Sequence, residues 1–194
     1  MNGKKKNGGA LDKVLQAAER SIVDYGIEKV TMDDIAKEAG LSRQTLYRYF
    51  GSKNALIEDL SIHKVQEIND AVSLCVGKIQ DPKKKIIEAI VESVLTIRED
   101  PISMALIENN RLVMERVLPK NEAISDLHIA RWRPILKQAK EDGVISEDIS
   151  QRKLISWLIF LQVSLVPWSN ALQLSRSDLK KLVETFVMNG LEPR

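Results

Sequence analysis

Apolar residues recur at three- and four-residue steps along most of the chain. Leu11, Val14, Leu15, Ala18, Ile22 and Tyr25 mark one face of a first helix. Gly26 follows, where a residue of left-handed conformation commonly ends a helix. No stretch alternates apolar and polar residues with the two-residue period of a half-buried strand, so no strand is predicted. The spacing predicts helices over 10–25, 32–39, 43–49, 53–78, 83–99, 102–117, 122–142, 151–168 and 177–189. Gly26, Gly40, Gly51, Pro82, Pro101, Pro119 and Gly143 fall at the ends of these patterns. Pro134 and Pro167 fall inside two of them and are expected to kink or interrupt the helix. Such a bend either borders a cavity or is only a bend.

Two short patterns, 32–39 and 43–49, are separated by a tight turn. Thr31 can accept the free amides of the first helix, and Asp34 three residues on completes an approximate capping box. Val30 and Ile35 flank that cap as a hydrophobic staple. Gly40 can take the positive φ of the turn, Ser42 caps the second helix, and Leu41 and Leu46 repeat the staple. Ala36 is small where the helices would cross, and Ile35, Leu41 and Leu46 would bury towards helix 10–25. This is the pattern of a helix-turn-helix, whose second helix enters the major groove of DNA. Arg43, Gln44 and Thr45 at the start of that helix can address base edges: guanine, adenine and the thymine methyl respectively. Tyr47, Tyr49 and Lys53 carry groups suited to phosphate oxygens.

Charge adds little to this picture. Among 194 residues, 29 Lys and Arg against 27 Asp and Glu leave a formal net charge of +2. That excludes a uniformly basic coat but not a local basic surface. Residues 1–53 hold ten basic against seven acidic residues, a small excess, so placement matters more than total. Hydrophobic residues at 44% and charged residues at 29% describe a chain able to bury a core. The single cysteine, Cys75, excludes an intrachain disulfide and a thiolate zinc cluster. It lies in the apolar series Val72, Cys75, Val76, Ile79 and reads as packing, with a redox role as the alternative. The two histidines, His63 and His128, have no metal-ligand spacing, and neither a Gly-rich phosphate loop nor a nucleophile elbow occurs. No cofactor is expected.

The run Leu154–Trp168 is the most apolar, but Ser156, Gln162, Ser164 and Pro167 interrupt it. It falls short of the roughly 20 predominantly apolar residues of a membrane span and reads as a buried helix. With no apolar run behind Lys4, Lys5 and Lys6, there is no secretory signal either, and a cytoplasmic protein is expected. The three lysines can trail along DNA or merely aid solubility.

The segment Val30–Lys53 with its flanks resembles the TetR family of bacterial transcriptional regulators. The resemblance rests on Gly26, Thr31-Met32-Asp33-Asp34-Ile35-Ala36, Ala39-Gly40, Thr45-Leu46-Tyr47-Arg48-Tyr49-Phe50 and Ser52-Lys53-Asn54-Ala55-Leu56. It covers about the first 60 residues. It implies an all-α protein: a three-helix DNA-binding domain at 1–52 and a larger helical domain at 53–194 that dimerises and binds a small effector. It also implies that Thr31, Tyr47, Tyr49 and Lys53 meet the phosphate backbone. Arg43, Gln44, Thr45 and Arg48 would lie nearest the bases. The plainer readings are that Thr31 only caps, Phe50 is core, Tyr49 serves both core and backbone, and Arg43 is a solvated charge.

In the larger domain, Leu154, Ile155, Leu158, Leu161, Leu165 and Trp168 form a broad stripe that Phe160 and Val163 extend. Leu179, Leu182, Val183, Phe186 and Val187 form a second. Two such helices from each of two subunits can pack as a four-helix dimer interface, or the stripes can be intrachain core. Effector-pocket candidates are Met104, Ile107, Glu108, Arg111, Met114, Trp132 and Phe160, each with ordinary core or surface as the alternative. Arg98, Arg111, Arg116, Arg131 and Arg133 hint at an anionic ligand. The expected function is a DNA-binding regulator, more a repressor than an activator, acting as a homodimer on operator DNA. A protein-binding adaptor or an all-helical enzyme would be the other classes.

Overall fold

The computed structural model describes residues 8–108 and 122–191, and every regular element in it is helical. The elements are α1 (Gly8–Tyr25), α2 (Met32–Glu38), α3 (Arg43–Phe50), α4 (Lys53–Val76), α5 (Pro82–Glu99), α6 (Pro101–Glu108), α7 (Glu122–Glu141), α8 (Gln151–Ala171) and α9 (Arg176–Val183). A π-helical turn, Glu184–Met188, follows α9 and leads into the short α10 (Asn189–Leu191). The residues expected to continue α6 to 117, Pro119 and the Lys4–Lys6 segment lie outside the described residues. Tertiary contacts divide the chain into two units, Met1–His63 and Lys64–Arg194.

The first unit holds α1, α2 and α3, with α1 packed on α2 and α2 on α3. The stripe on α1 buries Val14, Leu15, Ala18 and Ile22 as its spacing requires, while Tyr25 stays exposed at the end of the helix. Val30, Ile35, Ala36 and Leu46 are buried, and Leu41 is half-buried. Arg20 of α1 pairs with Glu38 of α2 at the surface.

The second unit is organised around α5, which packs against α6, α7, α8 and α9. Asp81 caps it by accepting the Lys84 N–H at 3.0 Å, and Pro82 occupies the first turn, where its missing donor costs nothing. Ile86, Ile87, Ala89, Ile90, Val91, Val94, Leu95 and Ile97 are all buried, so α5 is covered on nearly every side. It ends at Asp100, whose extended backbone suits the residue before Pro101. The Asp100 carboxylate then accepts the Ser103 N–H at 2.8 Å and so caps α6.

Of the two outcomes expected at Pro134 and Pro167, interruption does not occur: α7 and α8 run through both prolines. Helix α8 is also longer than its apolar run suggested, at 21 residues, and by length and composition alone could cross a membrane. Its Leu154, Ile155, Leu158, Ile159 and Val166 instead pack into the core of the second unit.

Candidate nucleic-acid interface

Helix α2 begins with a complete capping box. The Asp34 N–H donates to Thr31 Oγ1 at 3.2 Å, and the Thr31 N–H donates back to Asp34 Oδ2 at 2.9 Å. The Thr31 hydroxyl also donates to that carboxylate at 2.6 Å. These bonds from Thr31 hold the Asp34 carboxyl below the usual carboxylate range. At the other end, the Gly40 N–H donates to Lys37 O at 3.1 Å and the Leu41 N–H to Ala36 O at 2.8 Å. That pair of bonds is a Schellman motif, and it places Gly40 at a φ of +66°. Ser42 then starts α3 by accepting the Thr45 N–H at 3.1 Å. The angle between the two helices is therefore set by local hydrogen bonds at both sides of a short turn.

Leu46 and Phe50 anchor α3 from below. Arg43, Gln44, Tyr47, Arg48 and Tyr49 are exposed and Thr45 is half-buried, so every α3 residue assigned to DNA reaches the surface. Tyr47 and Tyr49 are each 37% exposed, which leaves part of each ring covered. Arg43 Nη1 donates to Asp33 Oδ2 of α2 at 3.0 Å, and its guanidinium lies 5.3 Å from the centre of the Tyr47 ring. Thr31 is exposed at the start of α2. Lys53, the first residue of α4, donates from Nζ to the Glu28 carbonyl at 2.9 Å. Partial burial pulls the Lys53 ammonium below its ordinary value, and the nearby Glu28 charge pushes the other way. One of its three donors is thus committed to the protein. Asp33 and the Glu28 carbonyl escape a reading of the sequence, because their partners lie ten and 25 residues away.

The effector candidates do not come together so clearly. Met104 and Ile107 on α6 are half-buried against the core and Glu108 is exposed. Arg111 and Met114 lie outside the described residues. Trp132 is fully buried on α7, whereas Phe160 is 47% exposed on the outer side of α8. Next to Trp132 the structure brings in groups that the candidate set omits: Arg131, whose guanidinium lies 5.2 Å from the centre of the Trp132 ring, and through it Ser93 of α5 and Gln162 of α8. Arg131 donates to Ser93 Oγ at 3.1 Å and to Gln162 Oε1 at 3.3 Å. A signal for these exists in the sequence, since Ser93 and Gln162 are polar residues set inside long apolar series.

The stripes assigned to a dimer interface divide between core and surface. Leu154, Ile155, Leu158, Leu179, Val183 and Val187 are buried within the chain, while Phe160, Trp168 and Phe186 stand exposed. Cys75 packs partly buried against the core, and burial pushes its thiol up.

Two capped helices joined by a glycine turn, with a polar exposed face on the second, define a helix-turn-helix protein of the all-α class. Residues 14–60 match the family of bacterial regulatory proteins described as the tetR family. Over 154 residues, 76% of each chain, the sequence is 26% identical to the uncharacterized HTH-type transcriptional regulator YvdT of Bacillus subtilis. It is 29% identical over 102 residues to the uncharacterized HTH-type transcriptional regulator MT1294 of Mycobacterium tuberculosis, an alignment that spans half of that relative. The fold matches a TetR-family transcriptional regulator from Pectobacterium atrosepticum with a TM-score of 0.74 at 16% identity, over 98% of this chain and 100% of that one. Residues 14–60 are thus a DNA-binding domain of the tetR family, and the chain is a DNA-binding transcriptional regulator.

Proposed function

We propose that the protein is a cytoplasmic, effector-responsive repressor that binds operator DNA as a homodimer and carries out no catalysis. Residues 1–52 would bind the DNA, and residues 53–194 would dimerise and take the effector. The observation that carries this reading is the exposed face of α3, where Arg43, Gln44, Tyr47, Arg48 and Tyr49 stand clear of a helix buried through Leu46 and Phe50. Arg43, Gln44, Thr45 and Arg48 would face base edges, and Thr31, Tyr47, Tyr49 and Lys53 the phosphates. A dimer presents two such helices, which read half-sites about 34–36 Å apart or at a multiple of that. An effector that prefers the DNA-incompetent arrangement would then release the operator, by the reciprocity of coupled binding.

The test is selection of duplexes from a random pool with the full-length protein, followed by affinity measurements over a range of salt. An enriched palindrome whose binding weakens steeply with salt is the expected result. Absence of any preferred duplex would remove the repressor reading and leave the protein-binding adaptor in its place.

A further inference from the structure

Four buried side-chain nitrogen or oxygen atoms among the described residues have no hydrogen-bond partner: Asn69 Oδ1, His128 Nδ1, Arg131 Nε and Trp132 Nε1. Three of the four stand on one stretch of α7, and the fourth side chain is hydrogen-bonded to that stretch. His128, Arg131 and Trp132 share a side of α7 by their three- and four-residue spacing. Asn69 of α4 donates its amide to the Leu127 carbonyl, next to His128. No other buried side-chain nitrogen or oxygen among the described residues lacks a partner, as is usual in folded proteins.

The surroundings of Arg131 are neutral. Ser93 is tied by its own hydroxyl to the Ala89 carbonyl at 2.7 Å, and Gln162 by its amide to the Leu158 carbonyl at 2.7 Å. Both therefore turn an oxygen towards Arg131 and orient its guanidinium without supplying a charge. Among the described residues no carboxylate pairs with it. Burial pulls the guanidinium down to about 10, which still leaves it charged at neutral pH, and holds His128 neutral at about 3. The Arg131 guanidinium lies 5.2 Å from the centre of the Trp132 ring, so an unmatched cationic N–H and an unmatched indole N–H are neighbours, and both are donors of the kind an oxyanion accepts. Trp132, Ile135 and Leu136 are buried around the same turn of α7, so the surroundings of these donors are apolar.

We infer that the second unit binds a small organic anion, with its oxyanion group on Arg131 Nε and Trp132 Nε1 and its apolar body against α7. This rests on the effector reading above and names the chemical class of that effector. Asn69 Oδ1 and the neutral His128 ring supply an acceptor and a further polar contact for a hydroxyl or similar group on the same ligand. Trp132 keeps its place among the pocket residues, but its indole N–H and not only its ring does the recognising.

The probes are 1-anilinonaphthalene-8-sulfonate and its uncharged relative N-phenyl-1-naphthylamine, which share an aromatic body and differ in the anion. Fluorescence titration of the full-length protein is expected to give the sulfonate the tighter binding. Arg131→Met should weaken the sulfonate at least about tenfold and leave the neutral probe unchanged, as expected for one hydrogen bond to a charged group. Should Arg131→Met fail to fold, Trp132→Phe deletes the other donor and keeps the ring, and it should lower the same affinity ratio. An unchanged ratio in the folded variant, or no preference for the sulfonate in the native protein, overturns the inference. The effector reading is tested separately by adding each probe to the protein–operator complex. Arg131-dependent sulfonate binding without loss of DNA affinity would sink the effector reading and keep the anion site. Release of DNA by the neutral probe, with the ratio unmoved by Arg131→Met, would do the reverse.

Discussion

Arg43 is held from two sides, by the Asp33 carboxylate and by the face of Tyr47. Both members of the ion pair are more than half exposed, so the pair is worth only about 0–1 kcal/mol. Exchanging it for a guanine edge is therefore inexpensive, while the stacked ring keeps the guanidinium extended along α3. Arg43→Ala is expected to relax preference at one base pair of each half-site by about 1–3 kcal/mol. A salt slope that stays the same would confine Arg43 to the bases, and a shallower one would add a phosphate to its partners. Lys53→Ala should instead weaken all duplexes alike and lower the salt slope by about one. Competition assays on a panel of single-base variants separate the two behaviours. His128 offers a test of the other unit. Burial holds its ring neutral down to about pH 3, whereas an unfolded histidine takes up a proton near its ordinary value of 6.5. Its contribution is thus complete above pH 6.5 and is lost progressively as pH falls from there towards 3. His128→Gln should flatten the acid side of the stability curve in that window, and urea melts at several pH values would read it.

The turn between α2 and α3 carries the most concentrated local information in the chain. A Cβ at Gly40 would meet no atom within 4 Å, so Gly40→Ala costs backbone strain alone. At a φ of +66° that strain is about 1–2 kcal/mol. The expected result is a lower denaturation midpoint at an unchanged urea slope. Everything that builds this turn acts over five residues or fewer, which is why the caps, the staples and the glycine could be read from spacing. The same holds for the helices at large, whose period is set by their own backbone. What could not be read acts over distance or depends on small energy differences. Asp33 meets Arg43, and Asn69 meets Leu127, only after the helices have packed. The π turn at Glu184–Met188 interrupts a pattern that looks uniformly helical through 189, because apolar spacing does not distinguish a four-residue from a five-residue hydrogen bond. Helix α8 is apolar on almost every side, so its sequence alone does not say which side meets the core. Packing puts Leu158 inside and Phe160 outside.

That outer side of α8 bears on the assembly. Trp157, Phe160, Ser164, Trp168 and Ala171 follow one another at three- and four-residue steps, and all are exposed. Three aromatic rings in one stripe are more apolar surface than a lone subunit ordinarily leaves to water, and aromatic residues are enriched where proteins meet. The stripe is a different set of residues from the leucines and isoleucines of the same helix, which already fill the intrachain core. The proposed dimer would therefore be sensitive to the exposed aromatics and indifferent to surface changes elsewhere. Trp168→Asp is expected to give a folded monomer, because the residue is 46% exposed and its removal opens no cavity. Sedimentation equilibrium reads the mass and circular dichroism the helix content. If two linked α3 helices are what reads the operator, the monomer should bind a full site about 10²–10⁴-fold more weakly than the native protein. Its affinity for an isolated half-site should be unchanged, since α3 and its caps lie in the other unit of the chain. A dimer that persists in Trp168→Asp would move the interface away from this face of α8. A monomer that holds full sites as tightly as the native protein would show that pairing of the two helices is not the source of operator affinity.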